Sequence, residues 1–255
     1  MNQSTKPKAL IIAGDGINSE QETANAFQLV GFESEIVHLN DLIHNRMTLD
    51  QLSLSVQAVA LPGGFSFGDD ISSGKILALK IKHGLKWDFQ QYAKRGGLVI
   101  GICNGFQALI RLGIFGKEVS ITTNQSGRFV NRWVKVAPLG RKSVWLDGVG
   151  TIDLPVRHGE GRIVIHPDNR AEVMQRLERL EMLCLQYLNN PNGSENDTAG
   201  LCDSSGRILG LMPHPEAFVR WTAHPGWTSQ PDRAGAPGEG LILFENAYQS
   251  AINAL

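Results

Sequence analysis

The chain has 255 residues, long enough for one sizeable core, and a single domain over residues 1–255 is expected. Apolar residues make up 42%, charged residues 19%, and the net charge is −1. That is an ordinary globular composition with neither sign in excess, which argues against a general affinity for nucleic acid or an anionic membrane.

The apolar run Ala9 to Ala13 is far too short for a signal peptide or a membrane span. It reads as a short tail leading into a first buried strand, and a cytoplasmic location is expected. Gly14 and Gly16 end that strand. Ser19 with Glu22 three residues later reads as a capping box that opens a helix, with Ala26, Phe27 and Val30 on its apolar face and Gly31 at its end. Glu35–Val37 is a short strand. Val56–Leu61 is a third, stopped by Pro62-Gly63-Gly64. Helical stretches follow at Gly74–Lys82 and Asp88–Lys94, then a strand at Gly97–Ile102. Continuous apolar strands separated by helices point to a parallel sheet covered on both faces.

The second half changes character. Val119–Thr123, Arg128–Val136, Ser143–Leu146, Thr151–Arg157 and Ile163–Ile165 read as shorter strands with closer turns, an antiparallel patch beside the main sheet. Ala171–Leu180 reads as a helix, and Leu183–Leu188 and Ile208–Met212 as strands. Pro213–Gly240 is rich in Pro and Gly but carries Trp221 and Trp227, so it reads as an ordered loop. A last helix is expected over Leu241–Ala254. The expected fold is α/β: a flavodoxin-like, mostly parallel sheet with helices on both faces and a small antiparallel extension.

The three cysteines, Cys103, Cys184 and Cys202, are odd in number and lack C-x-x-C spacing, so neither a disulfide framework nor a zinc site is expected. Cys103 stands in Gly101-Ile102-Cys103-Asn104-Gly105, between the strand GGLVI and the helix NGFQALIRLG. This is the G-x-nucleophile-x-G elbow with cysteine as nucleophile. The N–H groups at the start of the following helix face the sulfur, and their partial positive charge favours thiolate over thiol. Of seven histidines, His214 stands out in MPHPE. Prolines on both sides are expected to hold the segment extended, so that His214 and Glu216, two apart, face one site and the carboxylate fixes the imidazole tautomer. His158 with Glu160 in HGEGR is a rival pair of the same spacing. Pro62-Gly63-Gly64 can aim a backbone N–H at an oxyanion, and the N–H of Asn104 is the natural second donor.

GICNGFQ and PHPE resemble the class I, triad-type glutamine amidotransferases, which use C-x-G-x-Q on an elbow and a distant H-x-E. LPGGFSFGDD, NQSGRFVNRWV, HGEGRI, NNPNGSENDTAGL and GRILGLMPHPE narrow the resemblance to the amidotransferase components of phosphoribosylformylglycinamidine synthases, over nearly the whole chain. The resemblance implies that Cys103 forms a γ-glutamyl thioester, His214 serves as acid and base, Glu216 orients it, and Gly64 with Asn104 stabilise the oxyanion. It assigns Gln107, Asn124 and Ser126 to holding the glutamine backbone or shaping its pocket. Ala217 stands where the family often has Arg, and AGDGINSEQET replaces the more usual PGTNCDxET. The chain has no G-x-x-x-x-G-K-[ST], so no cofactor is expected on it. ATP and Mg are expected on a partner synthetase subunit that aminates formylglycinamide ribonucleotide, together with a small third subunit. The alternatives are a glutaminase feeding another synthase and a catalytically silent binding homologue.

Overall fold

In the computed structural model, which describes residues 6–254, the first strand is β1 (Lys8–Ala13); the expected tail before it lies outside the described residues. α1 (Glu20–Val30) and β2 (Glu33–His38) follow, then α2 (Leu39–His44), α3 (Leu49–Ser55) and β3 (Ala58–Leu61). α4 (Lys75–Lys80) and α5 (Phe89–Lys94) lead to β4 (Leu98–Ile102) and α6 (Asn104–Arg111). The second half contributes β5 (Val119–Thr123), β6 (Val130–Pro138), β7 (Ile152–His158), β8 (Glu160–Ile165), α7 (Arg170–Arg179), β9 (Leu183–Tyr187), β10 (Thr198–Cys202), β11 (Ile208–Leu211) and α8 (Leu241–Ile252).

Nine strands form one sheet in the order β2-β1-β3-β4-β11-β10-β9-β6-β7. The first five are parallel and follow the flavodoxin-like order, with connections reversing direction between β1 and β3. Right-handed crossovers then place α1 on one face and α4 and α6 on the other; α1 packs with α8, and α4 with α6. The fully buried VAL and LVIGI runs of β3 and β4 explain their unalternating apolar pattern. The expected antiparallel extension comes in two pieces. β10, β9, β6 and β7 continue the main sheet's own hydrogen bonding, and β5 with β8 forms a separate pair.

Four local expectations change. Ser143–Leu146 is no strand: Val144–Leu146 is a 3-10 turn that sinks Trp145 into the core, its indole N–H donating to the Arg207 carbonyl at 2.9 Å. β10 was not foreseen, nor were α2 and α3. Ser19 caps no amide with its side chain, whereas Thr48 and Gln51 form a reciprocal capping box at α3. The loop after β11 is ordered as expected: Trp221 is buried, stacked on His224 at 5.3 Å and covered by the Arg233 guanidinium, while Trp227 stays partly exposed. Among the described residues no helix is long and apolar enough to cross a membrane.

Candidate active site

Four neighbouring parallel strands deliver the site from their carboxyl ends: β1 through Asn18 and Ser19, β3 through Gly63 and Gly64, β4 through Cys103, and β11 through His214. This is where open α/β sheets bind ligands. Cys103 sits between β4 and α6 with φ 49° and ψ −103°, a left-handed conformation that costs a non-glycine residue about 1–3 kcal/mol and persists only where its surroundings hold it. Here the Cys103 N–H donates to the Leu211 carbonyl at 2.8 Å, and its carbonyl accepts from Gln107 N–H at 3.0 Å. The glycine at 105 is required by packing, because a Cβ there would collide with the backbone carbonyl of Leu61. α6 can therefore lie against β3 only with glycine at that turn.

Cys103 is 5% exposed and borders a cavity of about 170 Å³ that His214 also lines. Its thiol is directed toward the Arg157 carbonyl oxygen at 3.6 Å. The other two cysteines are sealed in the sheet, and burial, then the neighbouring Cys202, pushes the Cys184 thiol well above its ordinary range. Among the described residues no cluster of three or more His, Cys, Asp or Glu is arranged to hold a metal ion.

His214 Nδ1 lies 2.6 Å from Glu216 Oε1, with both side chains buried. The segment is not extended, as the flanking prolines had suggested. Pro215–Ala217 closes a 3-10 turn after His214, and that turn brings the carboxylate back to the ring. With Nδ1 engaged, Nε2 is buried and has no hydrogen-bond partner among the described residues. Burial alone would push the imidazole down. The charge of Glu216, then that of Cys103, outweighs it, and the hydrogen bond to Glu216 adds to the effect, raising His214 to about 10. A buried imidazolium held by a carboxylate beside a cysteine sulfur is the arrangement of an activated thiol nucleophile.

The rival pair is separated. The Glu160 carboxylate accepts from Ser73 N–H at 3.3 Å, while His158 Nδ1 lies 3.0 Å from Asn124 Oδ1. Asn124 Nδ2 donates to the carbonyls of Arg128 and His158, so Oδ1 is its acceptor end. His158 must then carry its proton on Nδ1. Burial, reinforced by the charge of His214, lowers this histidine to about 4. Its ordinary value is 6.5, so between pH 6.5 and pH 4 the unfolded chain binds a proton that the folded chain refuses. Stability is full above that window and falls as pH drops through it, by about 3 kcal/mol. Urea unfolding across this range should show wild type losing about that much more than His158→Gln; parallel curves would contradict a buried neutral imidazole.

Gly64 and Asn104, the expected oxyanion donors, stand at the ends of β3 and β4 beside Cys103. Gly64 has φ 143° and pairs with Ile17 in an isolated bridge whose hydrogen bonds run through its neighbours, leaving the Gly64 N–H unclaimed by that bridge. Asn104 opens α6, where an N–H has no intrahelical partner. The Asn104 side chain accepts from Ser66 N–H at 3.2 Å and donates to Asp69 at 3.0 Å, tying the loop after Gly64 to the elbow.

Gln107, Asn124 and Ser126 do not line the cavity. Gln107 is turned inward, accepting from Asn104 Nδ2 at 2.9 Å and donating to the Glu160 carbonyl. Asn124 is consumed by the His158 loop. The Ser126 hydroxyl accepts from Arg128 N–H at 3.3 Å on the exposed turn. The cavity is instead walled by Asn18, Ser19, Phe65, Phe129, Asn131 and Arg157. None of these was foreseen, and the one available signal was strand alternation, which turns Arg157 away from its buried neighbours Val156 and His158.

Fold and geometry together define a thiol-dependent amide hydrolase of the open α/β class. Residues 6–250 match the CobB/CobQ-like glutamine amidotransferase domain family. Subunit PurQ of phosphoribosylformylglycinamidine synthase from Dehalococcoides mccartyi is 39% identical, over 97% of this chain and 98% of its own. That of Methanococcus maripaludis strain C7 is 37% identical over 95% and 97%. In the solved structure of PurLQS from Thermotoga maritima, a chain 28% identical superposes with a TM-score of 0.73 over 98% of this chain and 99% of that one. The chain belongs to the glutamine amidotransferases, in the family of PurQ subunits of phosphoribosylformylglycinamidine synthase.

Proposed function

We propose that this chain hydrolyses glutamine and supplies the ammonia to a synthetase subunit that converts formylglycinamide ribonucleotide to its amidine. The observation that carries the reading is the elbow cysteine sharing one cavity with a histidine held at 2.6 Å by a buried glutamate. Cys103 Sγ attacks the side-chain amide carbon of glutamine, and the oxyanion is held by the N–H groups of Gly64 and Asn104. His214 gives its proton to the departing ammonia, leaving a γ-glutamyl thioester. It then takes a proton from water, which attacks the thioester and releases glutamate and the thiolate. Glu216 holds the imidazole in one tautomer throughout.

The amination needs ATP and Mg, which belong to the synthetase subunit in this reading, and a small third subunit completes the complex in the cytoplasm. Ammonia released to water would be protonated, so a docked partner with an enclosed path serves the chemistry. The test is to measure glutamate and amidine together in a mixture of this chain, its cognate synthetase, ATP, Mg and both substrates. One glutamate per amidine is expected. Glutamate without amidine would point to another synthase, and neither product to a silent binding subunit.

A further inference from the structure

The catalytic groups account for the amide end of the substrate only. A free amino acid also brings an α-carboxylate and an α-ammonium, two methylenes from the reacting carbon, and these must be recognised if other amides are to be refused. The cavity of about 170 Å³ is well below the roughly 300–1,000 Å³ of drug-sized ligand pockets, so it suits one amino acid.

We propose that Arg157 is the specificity-determining residue that binds the α-carboxylate of glutamine, an assignment that rests on the glutamine reading above. Arg157 is the only lining residue with a permanent charge. Its backbone carbonyl lies 3.6 Å from Cys103 Sγ, which fixes this residue beside the nucleophile. Strand alternation turns its side chain away from the buried Val156 and His158 and toward the exposed side. Among the described residues its guanidinium has no ion-pair or hydrogen-bond partner, in contrast to Arg162, Arg176 and Arg207, each of which is held by a carbonyl or carboxylate. Asn131 is its direct register partner on β6 and lines the same cavity. It offers an amide oxygen beside the cation, as the zwitterion's ammonium requires. Phe65 and Phe129, with ring centroids 6.4 Å apart, flank the space at its solvent side, and the guanidinium fork gives its contact with a carboxylate a bidentate geometry.

The test compares L-glutamine with its α-methyl ester, which keeps the reacting amide and loses the carboxylate charge. Glutamate or glutamate ester release is measured in the complex with the cognate synthetase. Arg157→Ala should raise KM for glutamine about tenfold or more with a smaller change in kcat, and Arg157→Lys should fall between the two. On the ester, wild type and Arg157→Ala should have the same kcat/KM. Equal losses on both substrates would make Arg157 structural and overturn the assignment, as would an unchanged KM for glutamine. A wild type that releases ammonia from the ester but not from glutamine would overturn the glutamine reading itself, and the assignment with it.

Discussion

Cys103→Ala is expected to lower glutamine hydrolysis in the synthetase complex by a factor of about 10⁴ or more, the scale on which loss of a nucleophile disables an enzyme of this kind. The cavity offers no replacement. Cys184 and Cys202 are sealed in the sheet, and Ser19, the hydroxyl in the lining, stands just before α1 with its hydroxyl donating to Asn18 Oδ1 at 3.4 Å. The fold should survive, because the change removes one sulfur beside an existing cavity and keeps the Cβ, a loss of about 1 kcal/mol. Glutamate release and the unfolding temperature, measured on the same preparation, separate the two effects. A glutamine-derived electrophile should label wild type at Cys103 and leave the variant unlabelled. Hydrolysis that persists in Cys103→Ala would remove the proposed nucleophile.

That residue was legible because its signal is local: strand, G-x-C-x-G and helix occupy about a dozen consecutive positions, and each part has its own chemical reason. His214 and Glu216 were legible for the same reason, although their contact is made by a 3-10 turn and not by an extended segment. The cavity wall is a different kind of object. Asn131 and Arg157 meet through the pairing of β6 with β7, and Asn18 and Ser19 return over Gly63 from the other side of the sheet. No spacing in the sequence encodes those meetings. For Gln107 and Asn124 the motif carried residue identity without direction: both amides are turned onto protein groups, Gln107 onto Asn104 and the Glu160 carbonyl, Asn124 onto the His158 loop. The fold shows the same division. β3 and β4 announce themselves as fully buried apolar runs, whereas β10, short and broken by Gly200 where the register slips against β9, does not. The four apolar or small residues at Ser143–Leu146 look like a strand until Trp145 finds its partner at Arg207.

The second large effect is expected at Glu216. His214 is buried, and burial disfavours its charged form; the imidazole stands at about 10 because the Glu216 carboxylate and the charge of Cys103 together overcome that cost. The other oxygen of Glu216 has no hydrogen-bond partner, so the carboxylate's role is directed at this one ring. Glu216→Gln keeps the shape and removes the charge. Burial then prevails, His214 drops below its raised value, and the imidazolium gives way to a neutral imidazole. The proton that must reach the departing ammonia is held less firmly, and kcat/KM should fall about 10²- to 10⁴-fold, the range for loss of positioned acid–base assistance. The sign of the pH effect follows. Wild-type activity that needs the imidazolium persists until pH rises through about 10, while the variant should lose its residual activity at lower pH. The same raised value means that the pair's contribution to stability is complete below the ordinary 6.5 and is lost as pH climbs through about 10; the variant should lack that alkaline loss. A pH–rate profile and urea unfolding at pH 7 and pH 10 measure both consequences. Unchanged kcat/KM together with an unmoved alkaline limb would show that Glu216 neither charges nor orients His214.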